Sequence, residues 1–227
     1  MQAPVEQPRN KSIVTTGAPC IHVLDDDLAI QSLLRSLGEM AGYEVHCYGT
    51  AGAFAKRTSE DRPGCLVLDL MRPDGTGIDV LQRLVASGNE LPVVFMSGMA
   101  SVAEAVRALK LGSIDFVEKP FELSRMRDAL ERAIQLDRER RQTAGEQERR
   151  LQRFARLSPR ETEVLERIVR GAANKEVALQ LGLSPKTVEV HRANVTRKTG
   201  ADSLADLVRM HIAVNSAKRQ PQPTGGQ

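Results

Sequence analysis

The chain has 227 residues, room for one large or two small domains. Its 41% of hydrophobic residues supports a core, which excludes wholesale disorder. The formal net charge of +3 hides a division: residues 1–135 carry 14 basic and 18 acidic side chains, and residues 136–227 carry 18 and 11, so two modules with different partners are expected, the second a nucleic acid.

No apolar run approaches the roughly 18–20 residues that a membrane-spanning helix needs. The polar start MQAPVEQPRNKS lacks the apolar region of a signal peptide, so a cytoplasmic protein without a membrane partner is expected. Cys20, Cys47 and Cys65 are odd in number and lack CxxC spacing, which suits thiols better than disulfides or metal ligands. Trp is absent, which weakens any reading based on base stacking.

Residues 1–18 show no periodicity and read as a flexible tail. From Cys20 the chain alternates short β-branched runs with helical patterns. The runs are CIHVL (20–24), YEVHCY (43–48), GCLVLDL (64–70), LPVVFMS (91–97) and SIDFVEK (113–119), each followed by an amphipathic stretch. Nearly continuous apolar stretches such as Val67-Leu68 and Val93-Val94-Phe95 fit parallel strands covered on both faces. Five strand–helix units predict a doubly wound α/β domain with a five-stranded parallel sheet over 19–136, whose sites lie at the carboxyl ends of the strands.

Residues 137–152 form a charged linker, expected to prolong the last helix for some turns and to become flexible at Thr143-Ala144-Gly145. Residues 153–214 carry no strand signal and predict a small all-α domain. Ser158 reads as an N-cap, with Pro159 at the first helical position and Glu161 at the capping-box position; Gly171 stops that helix. Asn174 is expected to cap a second helix ending near Gly182. Ser184-Pro185 opens a third, ending near Gly200, and Asp202 opens a fourth through about Val214. Residues 215–227 read as a second flexible tail.

The strongest chemical signal sits at the strand ends. Asp25, Asp26 and Asp27 follow the first run, Asp69 ends the third, Ser97 ends the fourth and Lys119-Pro120 follows the fifth. Parallel pairing brings these ends to one edge. Clustered carboxylates raise one another's pKa unless a counter-charge is present. A hard divalent cation supplies it and prefers oxygen ligands, and a lysine ammonium completes a site for an anionic phosphoryl group. Asp27 also suits the helix N-cap. Asp74 and Asp79 read as loop and surface residues, and His22 and His46 as structural residues without partners.

The segments DDD, LVLDLMRPDGTG, FMSG and DFVEKPF, over about residues 19–136, resemble the receiver domain of bacterial two-component response regulators, a flavodoxin-like fold. The resemblance implies that Asp69 is the phosphoacceptor and attacks a phosphohistidine on a sensor histidine kinase. It implies that Asp26 and Asp69 ligate Mg²⁺ directly, Asp25 through water, and the Met71 carbonyl completes the protein ligands. Ser97 would hydrogen-bond the phosphoryl oxygens, Lys119 would pair with their charge, Phe116 would be the switch aromatic, and Lys119–Pro120 would be cis. Such a protein is no enzyme beyond its own phosphotransfer and dephosphorylation. Asp25-x-Asp27 also resembles the DxD of haloacid-dehalogenase-like phosphohydrolases, a weaker reading because that family needs further motifs and a cap insertion. One departure stands out: where such receivers read Asp-x-Arg-Met-Pro, this chain reads Asp69-Leu-Met-Arg-Pro73. Met71, two residues after Asp69, and Met99, two after Ser97, are expected to border the phosphoryl position and to limit attack by water.

The segments LSPRETEVL, NKEVALQLGLSPKTVEVHR and RKTGADS resemble the LuxR-type helix-turn-helix domain, over about 153–214. With the receiver, they resemble the NarL/FixJ class of regulators and its FixJ-like subgroup, which includes rhizobial nitrogen-fixation and nodulation regulators. Helical spacing turns Val188, His191 and Val195 inward and leaves Lys186, Glu189, Val190, Ala193 and Arg197 outward. Such a helix fits a major groove. Glu189, Val190 and Ala193 are the expected base-facing residues; Lys175, Lys186, Thr187, His191, Arg192, Arg197 and Lys198 are the expected phosphate contacts. An adaptor that binds protein and not DNA is the competing reading, and steep salt dependence would discriminate. Leu204, Leu207, Val208 and Ile212 share one side of the fourth helix. Part of that side packs on the domain, and the rest dimerises with a second copy, as the resemblance implies. The combined expectation is a transcriptional activator, dimeric when phosphorylated, with double-stranded DNA and RNA polymerase as partners.

Overall fold

The computed structural model describes residues 17–57, 62–98 and 102–219. They divide into two compact units, Met1–Arg141 and Gln142–Gln227. The expected tail 1–18 lies almost wholly outside the described residues.

In the first unit the strands are β1 (Cys20–Leu24), β2 (Glu44–Tyr48), β3 (Gly64–Asp69), β6 (Val93–Ser97) and β7 (Asp115–Glu118). They form one parallel sheet in the order β2-β1-β3-β6-β7. β1, β3 and β6 are buried throughout, whereas β2 at the edge is only partly covered. That difference explains why the inner strands read as unbroken apolar runs. An unexpected two-residue hairpin, β4 (Met71–Arg72) with β5 (Gly75–Thr76), follows the third run.

Alternation along the strands divides the core between two faces. Ile21, Val23, Cys65, Val67, Val94 and Met96 meet Leu34 of α1 (Leu28–Met40) and Met126, Leu130 and Ile134 of α5 (Leu123–Ala155). Leu24, Leu66, Leu68 and Phe95 meet Phe54 of α2 (Ala51–Ala55), Ile78, Leu81 and Leu84 of α3 (Gly77–Ala86) and Ala108 of α4 (Val102–Lys110). Asp27 caps α1 as expected, accepting from the Ala29 and Ile30 amides. Asp137 of α5 is buried and accepts from the Gly64 amide at 2.9 Å and from Arg141 Nε at 2.7 Å. A carboxylate thus satisfies the first amide of the central strand.

The second unit is helical: α6 (Pro159–Ile168), α7 (Asn174–Leu181), α8 (Pro185–Thr199) and α9 (Leu204–Arg219). Ser158 and Glu161 form the expected capping box. Val164, Ile168, Val177, Ala178 and Val188 make one core cluster. Phe154, Leu165, Val195, Leu207, Met210 and Val214 make a second.

Four expectations need correction. The helix α5 does not loosen at Thr143-Ala144-Gly145 but runs unbroken to Ala155, because Leu151 and Phe154 pack into the second cluster. A glycine in a helix costs only about 1 kcal/mol against alanine, which such packing offsets. Asn174 is the first residue of α7 and not its cap; Ala173 holds the cap position, and the Asn174 side-chain oxygen accepts from Arg192 at 2.7 Å. The helix α9 opens at Leu204, and Ser203 Oγ accepts from the Asp206 amide. It extends to Arg219, beyond the expected end near Val214, and residues 220–227 lie outside the described residues.

Candidate functional site

Strand register sets the pocket. Leu24 pairs with Leu68, so Asp25 and Asp69 follow each other at the same sheet edge. Asp69 pairs with Met96, and Ser97 with Glu118, which puts Ser97 and Lys119 on that edge too. Lys119 Nζ donates to Asp25 Oδ2 at 2.7 Å and to Asp69 Oδ2 at 3.1 Å. Asp25 and Ser97 are fully buried, Asp69 is nearly so, and Asp26 is exposed. One carboxylate oxygen each from Asp25, Asp26 and Asp69 fits within a 4.8 Å span.

Electrostatics follow from that crowding. Burial raises the Asp69 pKa and Asp25 adds to the rise, outweighing Lys119 and the Met71 amide. Burial disfavours the Lys119 ammonium, but its bonds to Asp25 and Asp69 overcome this and raise its pKa. One cation faces two buried carboxylates and a third at the surface. This set of hard oxygen donors, short of positive charge and open on the Asp26 side, fits a divalent cation of the Mg²⁺ class. Asp25, Asp26 and Asp69 are the side chains that would hold it.

The neighbouring residues fall into place unevenly. The Lys119–Pro120 bond is cis. Phe116 is half-buried, with its ring stacked on Phe95 at 6.5 Å between centroids. The Met71 amide donates to Asp69 Oδ1 at 3.4 Å, and its side chain is exposed. Met99 lies outside the described residues. Asp79 sits in a capping box with Thr76, so it is more than a surface residue. The two histidines have partners after all. Their rings stack on each other at 5.9 Å, His22 Nδ1 lies 3.2 Å from the Tyr48 hydroxyl, and His46 Nε2 lies 2.9 Å from Glu44.

Two features of the pocket escape a reading by residue type. A Cβ on Gly77 would meet the Asp69 carbonyl oxygen at 2.6 Å and Phe95 at 2.7 Å, so α3 approaches the end of β3 only because position 77 has no side chain. The last glycine of DGTG was the available signal. Arg72 buries its guanidinium and pairs with Asp74. Nothing in the sequence marks that pair, because both residue types are ordinary in turns.

In the second unit, α7, a turn at Gly182 (φ 64°) and α8 form a helix–turn–helix. Lys186, Glu189, Val190, Ala193 and Arg197 are all exposed along α8, while Val188 and Val195 are buried and His191 is half-buried. Lys175 is exposed on α7, and Thr187 is half-buried. Lys186 lies 3.1 Å from Glu189, and Arg197 donates to Asn194. Two expected phosphate contacts are already engaged within the domain. Arg192 bonds to Asn174, and Lys198 Nζ donates to Glu161 at 2.6 Å and to the Arg156 carbonyl at 3.2 Å. On α9, Leu207 is buried and Leu204 and Ile212 are exposed, with Val208 between these extremes. No helix among the described residues is long and apolar enough to cross a membrane.

An acidic pocket at the carboxyl edge of a doubly wound sheet, followed by a helix–turn–helix, is the build of a DNA-binding regulator. Comparison with known proteins agrees. Residues 21–131 match the response regulator receiver domain, and residues 155–211 match the luxR family of bacterial regulatory proteins. Response regulator protein TodT of Pseudomonas putida is 37% identical over 193 residues, 85% of each chain. Transcriptional regulatory protein FixJ of Azorhizobium caulinodans is 40% identical over 203 residues, 87% of this chain and 93% of FixJ. The solved structure of response regulator StyR is 38% identical, with a TM-score of 0.80 over 86% of this chain and 99% of StyR. The chain belongs to the response regulators that join a receiver domain to a LuxR-type DNA-binding domain. This assignment favours the regulator over the phosphohydrolase and adaptor readings.

Proposed function

We propose that Asp69 takes a phosphoryl group from a phosphohistidine of a partner sensor kinase, and that this switches DNA binding by the second unit. The observation that carries the reading is the Lys119 ammonium shared between Asp25 and Asp69 at the carboxyl edge of the sheet. An Asp69 carboxylate oxygen attacks phosphorus, the P–N bond to the imidazole breaks, and the imidazole leaves with a proton. Asp25, Asp26, Asp69 and the Met71 carbonyl would hold Mg²⁺, which supplies charge neutralisation for the incoming phosphoryl oxygens. Ser97 and Lys119 bind those oxygens, and Lys119 gives up part of its bond to Asp69 to do so. Phe116 and Pro120 flank Lys119 along the chain and carry the change to the face of α4 and α5, which then favours a homodimer.

The receiver covers 19–136, the linker 137–152 and the DNA-binding domain 153–214. On DNA, Glu189, Val190 and Ala193 face the bases. Lys175, Lys186, Thr187, His191, Arg192, Arg197 and Lys198 neutralise or position phosphates, with Arg192 and Lys198 acting from their intramolecular bonds. The dimer acts in the cytoplasm as an activator that engages RNA polymerase, and the protein turns over no external substrate.

The test is direct. Incubation with a cognate kinase or acetyl phosphate and Mg²⁺ should add one phosphoryl group to the wild type, seen by intact mass, and none to Asp69→Asn. Phosphorylation should also tighten DNA binding in the wild type alone. Full response in Asp69→Asn, or steady turnover of small phosphate esters, would overturn the reading.

A further inference from the structure

Two residues after Asp69 the chain enters the β4–β5 hairpin, where Met71 pairs with Thr76 and Arg72 with Gly75. The Arg72 side chain is only 1% exposed. Its Nη2 lies 3.0 Å from Asp74 Oδ1. The other oxygen of Asp74 accepts from the amide of Ala51, the first residue of α2, at 2.7 Å. Arg72 Nε and Nη1 are buried and have no hydrogen-bond partner.

Stability does not account for this group. A buried charge offsets its desolvation only when its partner and its remaining donors are all satisfied. Here two guanidinium nitrogens are unsatisfied, which is costly in a low-dielectric setting. A methionine of similar length would fill the space without that cost. The exchange of Met and Arg in Asp69-Leu-Met-Arg-Pro73 is what puts a guanidinium here. A costly polar group beside a reaction centre points to a role in that centre.

We infer that Arg72 is a positioning residue for the phosphoacceptor pocket, acting through Asp74 to tie the hairpin to the first turn of α2. Met71, one peptide away, donates its amide to Asp69 Oδ1 at 3.4 Å. The tie therefore runs from Ala51 through Asp74 and Arg72 to the loop that holds Met71 against the acceptor. Its consequence for Mg²⁺ rests on the reading proposed above; its geometry does not.

Full-length Arg72→Met, Arg72→Lys, Asp74→Ala and the Arg72→Met/Asp74→Ala double variant test it. Arg72→Met should melt no lower than the wild type. Exchange of the Ala51 amide, followed by NMR without metal, should quicken at least threefold in Arg72→Met and in Asp74→Ala. Mg²⁺ affinity by calorimetry should fall three- to tenfold in each. Arg72→Lys, which keeps the charge but places its ammonium one bond short of the Nη2 that meets Asp74, should behave as Arg72→Met does. The double variant should lose no more than the weaker single variant, because both act through one tie. Unchanged Ala51 exchange, wild-type Mg²⁺ affinity in the variants, additive losses, or a collapsed fold in Arg72→Met would each overturn the inference. If the wild type itself takes up no Mg²⁺, the metal reading fails, and Ala51 exchange still decides the tie.

Discussion

Lys198 of α8 and Glu161 of α6 meet at 2.6 Å, with Glu161 only 4% exposed. Burial pushes the Glu161 carboxyl up, but Lys198 and the Ser158 cap outweigh it and hold it below the ordinary carboxylate range. The pair locks the helix that carries the candidate base contacts to the first helix of the DNA-binding unit. Lys198→Met should therefore cost about 2–3 kcal/mol, below the usual loss for a fully buried pair because Lys198 is partly exposed. Urea denaturation of the full chain reads this. A lowered carboxylate pKa stabilises the fold above the unfolded value, near 4.3, and that contribution fades as pH falls through the folded pKa. The gap between wild type and Lys198→Met should thus narrow below about pH 4.3. A gap constant with pH would show that the pair is not ionic.

Exposed Lys175, Lys186 and Arg197 should behave differently from Lys198. Replacing any one with Ala should leave the fold intact, weaken DNA binding across all sequences, and flatten the salt slope by about 1. Titrations at several salt concentrations check this. Glu189→Gln should instead change the preferred base, with about 1–3 kcal/mol of discrimination at stake. A uniform loss across operators would move Glu189 from the bases to the backbone.

Met71 leaves its side chain 58% exposed beside Asp69, the proposed acceptor. Met71→Asn should admit and orient water, shortening the acyl-phosphate lifetime severalfold without changing the rate of phosphorylation. Loss of radiolabelled phosphate measures it, and an unchanged lifetime sinks the idea.

Gly77→Ala would drive a methyl group into the Asp69 carbonyl, which cannot move aside as a side chain can. Overpacking of this kind costs about 1–3 kcal/mol. The receiver transition should shift by that amount in urea, and the yield of phosphorylated protein should fall with it.

The five strands were readable in the chain because they follow local rules, and the pocket because parallel pairing of such strands has a regular outcome. The runs of β1, β3 and β6 are apolar enough to demand burial on both faces, and parallel pairing then sends Asp25, Asp69, Ser97 and Lys119 to one edge. The exposed stripe on α8 was readable for the same reason, since helical period alone separates Glu189, Val190 and Ala193 from Val188 and Val195. Period separates buried from exposed positions, and chain order with parallel pairing tells which strand ends share an edge.

Other features depended on contacts between distant residues. Glycine at 145 reads as a break, yet α5 continues, because Leu151 and Phe154 gain a core that lies elsewhere in the chain. Asn174 reads as a cap, yet Arg192, 18 residues on, claims its side chain. Lys198 reads as a phosphate contact, and only the fold shows that Glu161, 37 residues away, also holds its ammonium. Arg72 and Asp74 read as turn residues, and only the fold shows that Asp74 joins Arg72 to the Ala51 amide, 23 residues before it. The opening charge division separated a carboxylate pocket from a DNA-facing module. Which charges are available to a ligand was settled by the fold, because a buried charge must first find its partner inside the protein.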